Sequence, residues 1–347
     1  ALPICKKNFS LALGSDNCLS REKCSNKYFS LIIVFIAAGI ALVFFIKILN
    51  LTLSQGTFNG LIFYANIVGA NPVIFPVNSA HAISVFIAWV NLDLGIETCF
   101  FAGMDAYAKA WLQFVFPVYV WAIALFIIIL SHYSMRASKV FGNNSVPVLA
   151  TLILLSYSKL LRAVISALSV THIEFLDGST MPVWERDGNI QYLTGKHIPL
   201  FVFAVAVLVL LWFPFTLVLL TIQWLQKGTH YRVLRWVIKL RPFFEAFTGP
   251  FKDKHRYWVG ALLLVRCTFL LVFYIYTANG SGVAFVCMIF IAIVVLIFLA
   301  ATGFVYRNYY LTFLELSYIL NLGILAGSLY VQYINMKGNR EALVIIS

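Results

Sequence analysis

Charge is scarce in this sequence of 347 residues: Asp, Glu, Lys and Arg together make up 11%. Soluble domains carry about 25%. A water-facing surface cannot be assembled from so few charges, so lipid must solvate most of the chain. Acids are the scarcer sign, 13 against 25 basic residues, for a net charge of +12. Signatures of catalysis are missing too. There is no glycine-rich nucleotide loop, His-Glu-x-x-His, metal-spaced Cys/His cluster or nucleophile elbow. The six histidines (His81, His132, His172, His197, His230 and His255) are scattered over loops. The apolar runs hold no paired carboxylates for acid–base work. The chain therefore reads as a non-enzyme with no cofactor and no metal. It also lacks the Arg-x-x-Arg ladder of a voltage sensor and a carbonyl-filter signature.

What fills the sequence is apolar: 62% hydrophobic residues, a mean hydropathy of +0.91, and 31 Phe, 17 Tyr and 8 Trp. Aromatics in this number suit lipid-facing helices with interfacial belts. A span needs about 20 residues to cross roughly 30 Å of hydrocarbon. Runs at 28–53, 107–131, 147–171, 198–226, 257–278, 283–306 and 311–334 meet that length. Residues 56–72 are shorter and carry Asn59, Gly60 and Asn66; residues 78–102 hold Asn91, Asp93 and Glu97 and read as an interfacial or partly buried helix. The expected fold is an all-α polytopic membrane bundle over 28–347 with about eight transmembrane helices. Ala1 in place of Met, and the apolar close at 342–347, read as the ends of an excerpt with a ninth helix cut short.

Residues 1–27 form a polar, cysteine-containing module with Cys5, Cys18 and Cys24. Such density points to disulfides in an oxidising compartment, the odd cysteine finding its partner upstream. Three free thiols are the plainer alternative. Asn8-Phe9-Ser10 is a glycosylation sequon, which agrees with an extracellular start. Cys99, Cys267 and Cys287 read as buried apolar residues.

Basic residues orient the bundle. With the start outside, the loop at 227–256 is cytoplasmic and carries eight basic residues against Glu245 and Asp253. The facing segment 73–106 has no basic residue, and 172–197 has only Arg186 and Lys196. This parity requires 56–72 to cross. Residues 172–197 alternate apolar and polar around Asp187-Gly188, a hairpin turn signal, and predict a small extracellular β-hairpin lid.

Ionisable groups inside apolar runs are costly and so informative. Lys159 and Arg162 are spaced i, i+3 on one helix face. With Arg266 and Glu315 they make a candidate intramembrane polar path for an ion, a lipid headgroup or a substrate. The structural alternative pairs Glu315 with Arg266 and lets the other cations snorkel or bond carbonyls. Asp93, Glu97 and Asp105 make a candidate outer vestibule for cations, or the solvated face of an interfacial helix. Arg232, Arg235, Lys239 and Arg241 belong to a basic amphipathic stretch suited to anionic lipid headgroups on the cytoplasmic side. Generic positive-inside charge accounts for it equally. Membrane lipid, rather than nucleic acid, is the expected partner of the positive charge.

Several stretches carry a resemblance: Leu11-Ala12-Leu13-Gly14-Ser15 before Cys18, 59–68 (NGLIFYANIV), 91–100 (NLDLGIETCF), 250–258 (PFKDKHRYW) and 315–323 (ELSYILNLG). Across nearly the whole chain the sequence resembles large animal membrane proteins in which an extracellular repeat region, often of β-helix type, precedes a multi-span region. That region is in turn remotely similar to the transient-receptor-potential-like membrane domain, including the fungal flavin-carrier type. The resemblance implies an integral plasma-membrane protein, a cation channel or lipid-responsive transporter, with its own upstream ectodomain as a partner. The outer loop 279–282 is too short for the re-entrant pore loop of a tetrameric channel. The alternative is the membrane anchor and signalling region of a cell-surface receptor or adhesion protein.

Overall fold

The computed structural model describes residues 9–12, 18–20, 24, 28–48, 99–135, 145–174, 179–227, 241–278, 283–302 and 305–346. The predicted span 56–72 lies outside them, as do Cys5, Asn8, Asp93, Glu97, Arg232, Arg235 and Lys239. Two compact units divide the chain: residues 1–52 with 75–215, and 53–74 with 216–347. Among the described residues five helical stretches are long and apolar enough to cross a bilayer: Ala106–Tyr133, Val146–Leu168, His197–Trp224, Asp253–Val272 and Tyr309–Ser328. The chain is a multi-pass membrane protein.

The first unit begins with strands β1 (Phe9–Leu11) and β2 (Cys18–Ser20), paired antiparallel with Leu11 opposite Cys18. Helices α1 (Tyr28–Ile48), α2 (Ala106–Tyr133) and α3 (Ser145–Leu168) follow. Asp105 caps α2 by accepting from the Ala108 amide at 2.8 Å. Helix α3 is the centre of this unit: 89% of its span is buried, against 28% for α2. Its sequence explains the difference. It carries Thr151, Ser156, Ser158, Lys159, Arg162 and Ser166, groups that need protein partners rather than lipid. Thr151 and Ser156 donate back to the carbonyls of Pro147 and Leu152, and Trp121 Nε1 donates to Ser156 Oγ at 2.9 Å. The neighbouring α2 turns Val115, Val118, Phe126 and Ile129 outward, an apolar face suited to hydrocarbon.

The predicted span 198–226 is continuous but irregular. It runs as α4 (His197–Ala206), one π-helical turn (Val207–Trp212) and α5 (Phe213–Lys227). Pro214 has no amide to give the ladder, and the Phe213 amide reaches back to Leu208 O, five residues away. At the end of this turn Trp212 is buried and stacks on Tyr157 of α3, ring centroids 5.1 Å apart.

The extracellular lid was expected as one hairpin turning at Asp187-Gly188. It is a three-stranded antiparallel sheet: β3 (Val170–Glu174), β4 (Thr180–Trp184) and β5 (Asp187–Gln191). The turn falls earlier, on Glu185-Arg186, and Asp187-Gly188 opens β5. Trp184 decides this. Its ring is fully buried and its Nε1 donates to Ser166 O at 2.8 Å, which pins the end of β4 to α3.

In the second unit, α6 (Arg241–Thr248) has Pro242 in its first turn, where no amide is needed. A short 3-10 turn (Asp253–His255) leads into α7 (Trp258–Ala278), then α8 (Val283–Thr302) and α9 (Tyr309–Ile346). The backbones of α5 and α7 come close at Gly260, where a Cβ would lie 2.7 Å from Leu220 N. Only glycine fits there. The ninth helix expected at the apolar tail is not separate. Residues 309–346 form one 38-residue helix through Lys337 and Arg340. No proline interrupts it, and its length of about 57 Å exceeds the hydrocarbon thickness.

Candidate functional site

Of the four residues proposed for a polar path, two stand in each unit. Lys159 and Arg162 are in α3 of the first unit, and Arg266 and Glu315 are in α7 and α9 of the second. Lys159, Arg266 and Glu315 are buried, and Arg162 is half-buried. Glu315 does not pair with Arg266. Its carboxylate accepts from Trp258 Nε1 at 3.1 Å and hydrogen-bonds the Tyr306 hydroxyl. Trp258 in turn lies parallel to Phe298, centroids 5.2 Å apart.

A stitched turn holds this carboxylate cage. Phe251 bridges Tyr306, with their rings stacked at 4.7 Å. Lys252 N donates to Val305 O, and Arg307 N donates to Pro250 O, both at 3.0 Å. Asp253 Oδ1 accepts from Arg256 at 2.7 Å and from Arg307 at 3.1 Å. These bonds tie the start of α7 to the start of α9, so Trp258 and Glu315 meet from different helices. Glu315→Gln keeps an acceptor for Trp258 and is expected to leave the melting temperature in detergent nearly unchanged. Glu315→Leu leaves the Trp258 and Tyr306 donors buried without an acceptor, costing about 1–3 kcal/mol. Equal loss in both variants would mean that the charge itself, not the acceptor, holds the cage.

At the sheet-bearing end of the first unit the last carbonyls of α3 need partners, because a helix leaves its final four unbonded. The sheet and the start of α4 supply them. Trp184 Nε1 donates to Ser166 O, His197 Nε2 lies 3.1 Å from Ala167 O, Tyr192 OH donates to Leu168 O at 2.7 Å, and Glu185 N donates to Ser169 O at 3.3 Å. The Leu193 amide donates to His197 Nδ1, which assigns the ring proton to Nε2. Burial raises the Tyr192 phenol above its ordinary value, so it remains a donor. Leu193 pays with a left-handed backbone, φ 55°.

The N-terminal module is fixed to this same end. Leu11 N donates to Met104 O at 2.9 Å, and Gly103 N donates to Ser10 Oγ at 2.8 Å. Gly103 has φ +85°, which a side chain would strain. Cys24 forms a disulfide with Cys99, and Cys18 is also disulfide-bonded. Cys99 is thus not an inert apolar residue, and Cys24 needs no upstream partner. Cys267 and Cys287 are free and only half-buried.

A pocket opens beside these contacts, lined by Leu11, Ala106, Lys109, Ala110, Gln113, Ser166 and Arg186. Arg186 Nε donates to Ser166 Oγ at 2.9 Å. Neither Lys109 nor Arg186 stood out in the sequence, since one opens an apolar run and the other sits 77 residues on in a turn. Asp105, expected in a cation vestibule, serves as the cap of α2, and Arg241 is the first residue of α6. Among the described residues no group of three or more His, Cys, Asp or Glu could hold a metal ion. No protein family, curated protein or solved structure matches this chain.

Proposed function

We propose that the chain is the membrane domain of a transient-receptor-potential-like, lipid-responsive transporter whose buried charges meet an anionic group rather than a cation. One observation carries this: Lys159 and Arg162 share a face of α3, the most enclosed of the candidate spans, while α1 to α4 contain no Asp or Glu. A cation moving along that face would meet two positive charges with no carboxylate from those helices, a cost of several kcal/mol at low effective dielectric. A phosphate-bearing headgroup would be attracted there. Eight crossings at the plasma membrane, with the sheet-bearing end extracellular, complete the reading. The Cys24–Cys99 disulfide supports that orientation, because such bonds persist in oxidising compartments.

Reconstitution tests it. Liposomes containing the protein are expected to move a fluorescent phosphatidylserine faster than a phosphatidylcholine. Lys159→Met with Arg162→Met should lower that rate about tenfold, the equivalent of one charge-assisted hydrogen bond. Potassium flux unaffected by both substitutions, with no lipid movement, would overturn the proposal.

The receptor-anchor reading has one observation of its own. The strands before α1 are bonded to the start of α2 and tied by a disulfide, so force or rotation applied to the N-terminal module reaches a membrane helix directly.

A further inference from the structure

Among the described histidines only His197 is fully buried, and both nitrogens of its ring are in use. Nε2 lies 3.1 Å from Ala167 O, a carbonyl that can only accept. The Leu193 amide, which can only donate, points at Nδ1 from 3.3 Å. The first contact needs a proton on Nε2, and the second needs Nδ1 bare. The docked ring is therefore neutral. A second proton would meet the Leu193 N–H donor to donor, and would place a charge on a side chain that no water touches.

The surroundings offer that charge little. The rings of Tyr192, Trp184 and Phe201 stand around the imidazole, with centroids 4.9, 5.7 and 6.2 Å away. Their π systems attract a cation, but by less than the hydration a buried imidazolium forgoes. The charged and titratable groups on the elements around it are Lys109 of α2, Arg162 of α3, His172 and Glu174 of β3, Glu185 and Arg186 of the β4–β5 turn, Asp187 of β5, and Tyr192 and Lys196 of the turn before α4. Among the described residues none of these hydrogen-bonds or ion-pairs with His197.

The turn that this ring holds is also the strained one. Leu193 carries a side chain in the left-handed region, φ 55°, and that conformation persists only while its surroundings enforce it. Leu193 is 48% exposed, so water can take its amide as soon as the imidazole lets go. Tyr192, the residue before it, donates to Leu168 O. Movement of this turn therefore frees carbonyls at the end of α3.

We infer that His197 is an acid-operated latch: protonation of its imidazole expels the Leu193 amide and releases the 191–197 turn from the end of α3. The latch does not depend on which species the bundle carries. An exposed imidazole titrates near pH 6.5, so the released state binds the extra proton and the docked state does not. Docking is complete above about pH 7.5 and is lost as the pH falls. By about pH 5 the ratio of docked to released turn should drop roughly thirtyfold.

Hydrogen exchange on the full chain in nanodiscs, corrected for the intrinsic effect of pH on the chemical rate, tests this at about pH 7.5 and about pH 5. Peptides covering 185–197 should lose protection roughly thirtyfold in wild type, while those within 148–160 of α3 hold theirs. His197→Asn places an amide oxygen near the position of Nδ1, and His197→Gln extends an amide toward Ala167 O; neither can take up a proton. Whichever of the two folds should show the same protection of 185–197 at both pH values. His172→Gln, at an exposed position on β3, should keep the wild-type response. Unchanged protection in wild type at about pH 5 would overturn the proposal without any variant. So would a pH response that survives in a folded His197 variant, or one that disappears in His172→Gln.

Discussion

Trp184→Ala is expected to destabilise the protein by about 3–5 kcal/mol, the range for removing a large aromatic from a packed core. The side chain is fully buried among Phe114, Leu160, Ala163, Val164, Ala167, Leu200 and Ala204, residues of α2, α3 and α4. Those apolar contacts join three helices that would otherwise meet lipid as readily as one another. The substitution also takes away the donor to Ser166 O, leaving a buried carbonyl at the helix end. Trp184→Phe separates the two effects. It retains most of the volume and loses only the indole N–H, for about 1 kcal/mol. Apparent melting temperature in detergent, followed by loss of monodispersity, reads both. A melting temperature for the alanine variant within error of wild type would show that the sheet does not clamp the bundle.

Removing the Cys24–Cys99 disulfide is expected to have an effect of similar size. The bond closes a loop of 75 residues. Chain entropy alone assigns about 4 kcal/mol to a closure of that length. Its loss should be felt first where the N-terminal strands dock on the turn before α2. In the Cys24→Ser, Cys99→Ser variant, the amides of Leu11 and Gly103 should exchange hydrogen faster, since Met104 O and Ser10 Oγ are held beside them by that staple. Reductant should lower the melting temperature of wild type. Any sensitivity left in the double variant belongs to the disulfide of Cys18. Unchanged exchange at Leu11 and Gly103 would mean that strand pairing, not the covalent bond, holds the module.

The two effects act at one end of the first unit, and together they describe how a small soluble-looking layer is attached to a membrane bundle. Inside a bilayer the helices gain nothing from hydrophobic association, because lipid is as apolar as leucine. Packing and hydrogen bonds must supply the preference. At the sheet-bearing end this takes the form of donors from Trp184, Tyr192 and His197 aimed at three successive carbonyls of α3. In the second unit it takes the form of the Glu315 cage and the turn stitched by Asp253, Arg256 and Arg307.

Hydropathy and length were enough to locate most helices. The run predicted at 107–131 is α2 at 106–133, and 257–278 is α7 at 258–278. This legibility has a plain cause: in hydrocarbon each span must satisfy its own backbone, so composition over about 20 residues determines its structure locally. The same locality places Lys159 and Arg162 on one helix face from their spacing alone.

What local pattern could not decide were the relations between distant residues. The alternation at 172–197 announced strands, but a turn at Asp187-Gly188 was as good locally as the one at Glu185-Arg186; the seat of Trp184 against Ser166 chose between them. Apolar surroundings made Cys99 look like a core residue, and only the fold set it 5.6 Å, Cα to Cα, from Cys24. Glu315 looked like the counter-ion of Arg266 by charge, whereas the stitched turn presented Trp258 and Tyr306 instead. The sequence by itself determined that lipid is the solvent for most of the chain, located the apolar helices that the described residues contain, and placed Lys159 and Arg162 on one helix face. Tertiary structure alone decided which partners those helices present to one another, and brought Lys109 and Arg186 to a single pocket, because side chains 77 positions apart become neighbours only when helices and strands pack.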